Sequence, residues 1–139
     1  MDDIFFVGAK ALIFNQDNQL LLLSKKSGNP TWDLPGGRIQ KNEPLEEALK
    51  REVFEETGIQ DFRSIKFLGL YLSSIRIQKQ NDSAGLIFAL HLCHVKNDPS
   101  ITLSSEHDSF SWENISSAIG FLKTSFPIPM IEAMMDLHI

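Results

Sequence analysis

The chain has 139 residues, a formal net charge of −5 and one cysteine, and 42% of its residues are hydrophobic. This length suits one domain over residues 1–139 whose core needs no disulfides, and a single cysteine excludes a disulfide framework and fits a reducing compartment. Because an acidic chain without a basic stripe cannot displace counterions from a phosphate backbone, a nucleic-acid polymer is not the expected partner.

The amino terminus is not expected to act as a targeting or membrane segment. Asp2 and Asp3 precede an apolar run from Ile4 to Phe14, and Lys10 interrupts that run. A signal peptide needs a positively charged start, and a membrane span needs about 20 apolar residues. The sequence therefore predicts a cytoplasmic protein with no membrane partner.

Two apolar runs predict the first two strands. They cover residues 5–14 and 20–24, and the polar residues 15–18 between them predict a hairpin. The first strand is expected at the centre of a sheet. A loop follows, and it leads to the paired Gly36 and Gly37, where the missing side chains allow the backbone to approach a ligand closely.

The next element is predicted to be a helix from Pro44 to Thr57. Proline suits the first turn of a helix, and Gly58 is a natural stop. At about 100° per residue, an apolar stripe covers about a third of the helix circumference. The stripe consists of Leu45, Ala48, Leu49 and Val53, and three glutamates border it, namely Glu52, Glu55 and Glu56.

The remaining sequence predicts further strands and two helices. Residues 65–77 and 84–95 are rich in β-branched, aromatic and leucine residues, which favours two strands joined through the polar residues 78–83. A short strand is expected at 110–112, and helices are expected at 116–122 and 128–137. This order of elements predicts a mixed sheet with helices on both sides.

The three glutamates beside the apolar stripe require a cation. Glu52 and Glu56 are four residues apart and Glu55 follows Glu52 by three, so their side chains could converge on one point. Arg51 alone cannot neutralise three acids, and converging oxygen ligands suit Mg²⁺ or Mn²⁺. The alternative is a helix with solvated Glu/Lys pairs, and the spacing of the acids favours the cation.

The segment that contains this helix resembles the Nudix box, Gly-x5-Glu-x7-Arg-Glu-U-x-Glu-Glu-x-Gly-U, in which U is an aliphatic residue. No position departs from the pattern. A chance match is expected on the order of once in a million or more rarely. The pattern is filled by Gly37, Glu43, Arg51, Glu52, Val53, Glu55, Glu56, Gly58 and Ile59.

The resemblance implies a Nudix-type α/β/α sandwich, with a mixed β-sheet between helices, and a hydrolase acting on phosphoanhydride bonds. Nudix enzymes cleave a nucleoside diphosphate linked to another group, and Mg²⁺ or Mn²⁺ neutralises phosphate oxygens and lowers the pKa of the attacking water. By the same resemblance, Arg51 orients the acids. The implied metal ligands are Glu56, Glu52 and Glu55, together with the carbonyl group of Gly36.

The general base is open between two acids, since relatives use either a glutamate of the box or an acid on a later loop. Glu52 is the candidate within the box. Glu106 lies in a polar loop before Trp112, and this region resembles the Glu-His-x-x-x-x-Trp ending of the family. Glu106 could instead be a metal ligand or an ordinary loop acid.

Candidate substrate contacts lie near the box. Lys25 and Lys26 could contact phosphate, although a solvated lysine pair is an equal alternative. Trp32 could stack on a base or cover the core beneath its loop. Gly37 and Arg38, at the start of the box, are also expected to contact the substrate.

The substrate itself is weakly determined by the sequence. Patterns that mark members cleaving NADH, coenzyme A or ADP-ribose are absent, and Phe126-Pro127 stands where relatives acting on oxidised guanine nucleotides usually have asparagine. We expect a (deoxy)nucleoside triphosphate or a dinucleoside polyphosphate.

Two alternatives to this enzyme remain. One is a Nudix-fold nucleotide-binding module or sensor without turnover, and the other is an interaction domain with an incidental acidic helix. Sensors of this fold commonly lose glutamates of the box, which this chain retains. Many relatives form homodimers, so a homodimer is an expected oligomeric state.

Overall fold

The computed structural model of the protein describes residues 1–25, 28 and 30–138. Lys26, a predicted phosphate contact, lies outside the described residues. The described strands are β1 (Phe5–Phe14), β2 (Leu20–Lys25), β3 (Thr31–Asp33), β4 (Gly36–Arg38), β5 (Arg63–Leu72), β6 (Ile77–Lys79), β7 (Asp82–His94) and β8 (Ser109–Glu113). The described helices are α1 (Leu45–Thr57), α2 (Ile115–Leu122) and α3 (Ile128–Met135).

Strand β1 lies at the centre of the sheet, as predicted. The main order of strands is β3-β2-β1-β7-β5, with β1 parallel to β7 and the other pairs antiparallel. On its other side, β1 pairs with β4 over residues 8–10 and with β2 only through Phe14 and Leu20. The sheet therefore divides beside β1, and this division leaves room for a cleft between β2 and β4.

Side chains of β1 alternate between the two faces of the sheet, which is the period of two that a strand imposes. Ala9, Ala11 and Ile13 pack toward α1, in a core cluster that includes Leu49 and Val53. Leu12 and Phe14 pack toward α2 and α3. The mixed sheet with helices on both faces confirms the predicted α/β/α sandwich.

The helix of the box begins and ends close to where the sequence predicts. It covers Leu45–Thr57, after Pro44 in an extended conformation. Gly58 follows with φ 77°, and its N–H group donates to the carbonyl of Phe54 at 2.8 Å. A left-handed residue of this kind satisfies a carbonyl group at the end of the helix.

The long hairpin predicted for residues 65–95 forms, with β5 antiparallel to β7, but its first arm is interrupted. Strand β5 ends at Leu72, and a separate short strand, β6, pairs with the start of β7 through Lys79 and Asp82. The Ser73 hydroxyl accepts a hydrogen bond from the N–H of Ile75 at 3.0 Å. Such a local side-chain bond competes with ladder pairing, and it interrupts the strand there.

Short strands also occur where the sequence predicts only a loop, because three-residue strands give no periodic signal. Strand β3 pairs with β2, and β4 pairs with β1. Both carry residues that face the division of the sheet. In the part of the chain that the structure describes, no helix is both long and apolar enough to cross a membrane.

Candidate active site

Glu56 lies on α1 and points into the division of the sheet. Its side chain is buried, with a relative exposure of 5%. One carboxylate oxygen, Oε1, accepts a hydrogen bond from the backbone N–H of Gly36 at 2.7 Å. The glycine of β4 therefore fixes the glutamate of α1, which leaves the second oxygen, Oε2, available to a ligand.

Burial raises the pKa of Glu56 to about 7, although the Gly36 N–H group and the charge of Lys10 oppose this effect. The nearby charge of Asp33 adds to the rise. A carboxylate in this environment is costly to ionise without a partner. A cation beside Oε2 would offset that cost.

Arg51 binds the other acids of the box. Its guanidinium group donates to both carboxylate oxygens of Glu43, at 2.7 and 2.9 Å, and to Glu52 at 2.8 Å. The hydrogen bond from Arg51 lowers the pKa of Glu43 to about 2. Three carboxylates therefore share Arg51, since Glu55 also contacts it, at 3.3 Å. Among the described residues, no ion pair joins Glu56 to an arginine.

Gly37 makes room for the carboxylate of Glu52. A Cβ atom added to Gly37 would lie 2.4 Å from Oε2 of Glu52. Real Cβ atoms do not approach oxygen atoms so closely, so any larger residue would displace Glu52. The position of the Glu52 carboxylate thus requires a glycine at Gly37.

Glu55 lies at the exposed edge of the acids of α1. Its side chain has a relative exposure of 54%, and it shares one guanidinium nitrogen of Arg51 with Glu52, at 3.3 and 2.8 Å. Glu56 takes no part in these ion pairs. The convergence of the three acids on one cation, and the role of Glu55 as a metal ligand, stay predictions.

A chain of charged groups faces α1 from the other side of the cleft. The ammonium group of Lys10, on β1, lies 3.1 Å from Asp33 Oδ1 and donates to the carbonyl of Leu34 at 3.2 Å. Asp33 Oδ2 lies 3.6 Å from Nε2 of His107. His107 Nδ1 in turn lies 3.8 Å from Glu56 Oε2.

The charges along this chain shift the pKa values of Asp33 and His107. Burial alone would raise the pKa of Asp33, but Lys10 and His107 outweigh it and hold that pKa below its ordinary value. The interaction with the nearby carboxylate of Asp33 raises the pKa of His107 against the effect of burial. The cleft therefore combines a fixed acid–base chain with the buried acid Glu56.

Two clefts meet at this chain. An acidic cleft of about 740 Å³ contains Glu52, Glu56 and Glu106 in its walls. A larger, mostly apolar cleft of about 930 Å³ lies beside it, with aromatic side chains in its walls. Both clefts are lined by Lys10, Asp33 and Glu106.

The structure distributes the predicted substrate residues between these clefts. Gly37 and Arg38 line the acidic cleft, and the Arg38 guanidinium lies 4.7 Å from the ring centre of Phe6. Lys25 and Trp32 line the apolar cleft. The two alternatives for Trp32 both find support, because the half-buried ring packs on the core cluster and also faces the cleft.

Three residues of the site are absent from the set predicted from sequence: Lys10, Asp33 and His107. The signal for Lys10 is a lone charge inside an apolar strand. Asp33 immediately precedes the segment that leads to the glycines, and His107 follows Glu106. None of these signals indicates that the residue lies near Glu56, because only the pairing of the strands in the folded sheet brings these residues together.

Comparison with known proteins shows which family this chain is similar to. The family model described as the NUDIX domain matches residues 5–136. A CTP pyrophosphohydrolase of Escherichia coli is 28% identical over 131 residues, covering 92% of this chain and 90% of that protein. A putative 8-oxo-dGTP diphosphatase of Bacillus subtilis is 45% identical over 64 residues, and the match spans only 46% of this chain and 42% of that relative's length.

Solved structures share the fold over nearly the whole chain. A MutT protein from Methanosarcina mazei superposes with a TM-score of 0.72 at 24% identity, and the match covers 97% of this chain and 94% of that structure. The box residues, the sheet topology and the family model thus agree. The chain belongs to the Nudix hydrolase family, the pyrophosphohydrolases that include the MutT-like proteins.

Proposed function

We propose that this protein is a divalent-metal-dependent hydrolase that cleaves a pyrophosphate bond in a nucleoside diphosphate linked to another group. The observation that carries the proposal is the junction of an acidic cleft with an aromatic-lined apolar cleft. The acidic cleft suits a cation and the phosphates that it neutralises. The apolar cleft suits a nucleoside, since small-molecule sites are mostly apolar with a few polar groups.

The residues of the acidic cleft fit a divalent cation. Glu56 is a buried carboxylate whose Oε2 accepts no hydrogen bond from the part of the chain that the structure describes, and Glu52 is held near the glycines. Carboxylate and carbonyl oxygens suit Mg²⁺, which keeps part of its water and binds substrate phosphates. We propose Glu56 and the carbonyl of Gly36 as ligands, with Glu52 adjacent.

When bound, Mg²⁺ or Mn²⁺ supplies charge neutralisation for the phosphates and a more acidic water. The residues of the protein hold the acids of the site in position. Arg51 holds Glu52 and Glu43 through ion pairs of 2.7–2.8 Å, while Gly36 holds Glu56. Fixing these acids before the substrate arrives reduces the reorganisation that the reaction would otherwise require.

Glu52 is the general base that we propose. Arg51 and the backbone at Gly37 hold its carboxylate at the wall of the acidic cleft, and a base must be fixed within reach of the attacking water. Glu106 lines the same cleft but is exposed on a loop. Replacing each glutamate with glutamine separates the two roles, because loss of the base lowers kcat without removing metal binding.

We propose a (deoxy)nucleoside triphosphate as the substrate, with a dinucleoside polyphosphate as the second choice. The names of both curated relatives described above specify nucleoside triphosphates. The apolar cleft has room for one nucleoside beside Trp32 and Phe126. A cytoplasmic location and a homodimer remain predictions from the sequence.

A panel of substrates tests this proposal. The protein would be incubated with Mg²⁺ or Mn²⁺ and with CTP, other ribo- and deoxynucleoside triphosphates, 8-oxo-dGTP, dinucleoside polyphosphates and sugar nucleotides, and the products would be identified by chromatography. We expect metal-dependent release of a nucleoside monophosphate from at least one compound. Tight nucleotide binding without any product would instead favour the binding module or sensor.

A further inference from the structure

The side chain of His107 carries a ring nitrogen without a hydrogen-bond partner. Nδ1 is buried, and no hydrogen bond to it is found among the described residues. The side chain as a whole has a relative exposure of 8%. A buried polar atom without a partner costs free energy, so its persistence in a fold requires an explanation.

Carboxylates surround this nitrogen. One ligand atom each from Glu56, Glu106 and His107 can be chosen so that all three lie within 4.8 Å of one another. The distance from Nδ1 to Glu56 Oε2 is 3.8 Å. This distance is too long for a hydrogen bond and suits two atoms that share a metal ligand sphere.

The other ring nitrogen faces a carboxylate in an ion-pair contact. His107 Nε2 faces Asp33 Oδ2 at 3.6 Å, and Lys10 holds the second oxygen of Asp33 at 3.1 Å. Histidines that bind metals generally direct their second nitrogen to a carboxylate, which fixes the ring and leaves the first nitrogen free to coordinate. Lys10 and Asp33 therefore orient Nδ1 toward the two glutamates.

We infer that His107 is a nitrogen ligand of a divalent metal position that Glu56 and Glu106 complete. The inference rests on the proposed function and names the metal that this site prefers. Imidazole nitrogen suits first-row transition ions, whereas Mg²⁺ takes oxygen ligands and a regular octahedral shell. The mixed set of one nitrogen and two carboxylates selects Mn²⁺ or a similar transition ion over Mg²⁺ at this position.

A simple ion pair is the competing explanation for His107. In that case a protonated imidazole bridges Asp33 and Glu56. Both ring nitrogens then lie beyond hydrogen-bond length, at 3.6 Å from Asp33 Oδ2 and 3.8 Å from Glu56 Oε2. The observation that favours an open metal position is the buried Nδ1 without a hydrogen-bond partner beside two carboxylates.

Pulsed electron paramagnetic resonance of bound Mn²⁺, without nucleotide, tests the inference directly. We expect the spin-echo modulation of directly bound ¹⁴N in the wild-type protein and its loss in His107→Gln. The matched control is His94→Gln, because His94 lies at the far end of β7 and does not line either cleft among the described residues. This control should retain the modulation.

Metal affinity provides the second readout. By isothermal titration, we expect His107→Gln to weaken Mn²⁺ binding by about 10-fold or more and Mg²⁺ binding by much less. A wild-type spectrum without nitrogen modulation overturns the inference. This outcome does not depend on whether any variant folds. Hydrolysis with oxygen-only coordination would leave the proposed function intact, whereas absence of both metal binding and turnover would overturn the proposed function as well.

Discussion

Glu56 combines burial, one backbone hydrogen bond and the absence of an arginine partner. Its neighbours Glu43, Glu52 and Glu55 all form ion pairs with Arg51. Without metal, the folded protein therefore holds one carboxylate that it does not stabilise well. Residues placed for binding commonly reduce the stability of the fold in this way.

We expect Glu56→Gln to stabilise the metal-free protein by on the order of 1–2 kcal/mol. The amide keeps the oxygen that accepts from Gly36 and removes the buried charge. Because the folded pKa, about 7, exceeds the ordinary value of 4.5, the wild type loses stability as pH rises through that window. The gain from the substitution is therefore largest above pH 7 and disappears toward pH 4.5.

Thermal unfolding in a metal chelator measures this effect, and Glu47→Gln is the control. Glu47 is exposed on α1 and does not line the acidic cleft, so its substitution should change the unfolding temperature little. Addition of Mg²⁺ should raise the unfolding temperature of the wild type and of the control, and it should not raise that of Glu56→Gln. A metal-free Glu56→Gln protein that unfolds at a lower temperature than the wild type would contradict the account.

Gly37→Ala should lower activity without unfolding the protein. The new methyl group would overlap the carboxylate of Glu52, so we expect kcat to fall by about 10-fold or more, since small displacements of catalytic groups have effects of this size. Gly8→Ala, on β1, is the control because its added Cβ would meet only ordinary contacts at 3.6 Å or more. Equal kcat values for the two variants would exclude a role for the close approach.

The site was only partly predictable from sequence, and the reason lies in the distance along the chain. Glu52 and Glu56 share a helix, so their spacing alone places them near each other. Lys10 and Asp33 are 23 residues apart, and His107 reaches them from the loop before β8. Contacts of this kind depend on strand pairing, which no local pattern specifies.

At the scale of elements, α1 connects the core to the site. Its apolar side packs through Leu49 and Val53 against β1 and β2, while its edge carries the acids. Strong periodicity, a proline at its entry and a glycine at its end made this helix predictable. The short strands β3 and β4 were not predictable, because three residues are too few to show a period.

Two glycines, one that ends α1 and one inside α2, allow a matched test of backbone conformation. Gly58 has φ 77°, and an added Cβ would lie 3.3 Å from Thr102, so we expect Gly58→Ala to destabilise the protein by about 1 kcal/mol. Gly120 lies within α2, where an added Cβ meets nothing within 4 Å. There we expect Gly120→Ala to stabilise by about 0.5–1 kcal/mol. Denaturant unfolding measures both, and the same sign for both would contradict these assignments.

At the scale of the whole molecule, the divided sheet joins the two clefts. Strand β1 contributes Lys10 to both, and the segments after β2 and before β8 complete their common wall. A nucleoside in the apolar cleft would thus place its phosphates in the acidic cleft. This arrangement explains why the sequence of α1 indicates the reaction class but not the substrate. The apolar cleft, which would bind the nucleoside, is built from other elements.

Trp32→Leu tests this division of roles. The indole ring lies 4.7 Å from the ring of Phe121 and lines the apolar cleft. If a base stacks there, the loss of about 1–3 kcal/mol should raise KM by about 10-fold or more and leave kcat nearly unchanged. Phe110→Leu, on β8 and exposed, is the control. A fall in kcat alone would show that Trp32 supports the fold of the catalytic cleft instead.

The most direct test of the central claim is the rate of Mg²⁺-dependent nucleotide hydrolysis by the wild type and by Glu56→Gln, with the best substrate of the panel. We expect the substitution to lower kcat by about 100-fold or more, because it removes the buried charge that holds the cation. The unfolding temperature would verify that the variant is folded. Hydrolysis by Glu56→Gln at the wild-type rate would contradict the metal site and the function built on it.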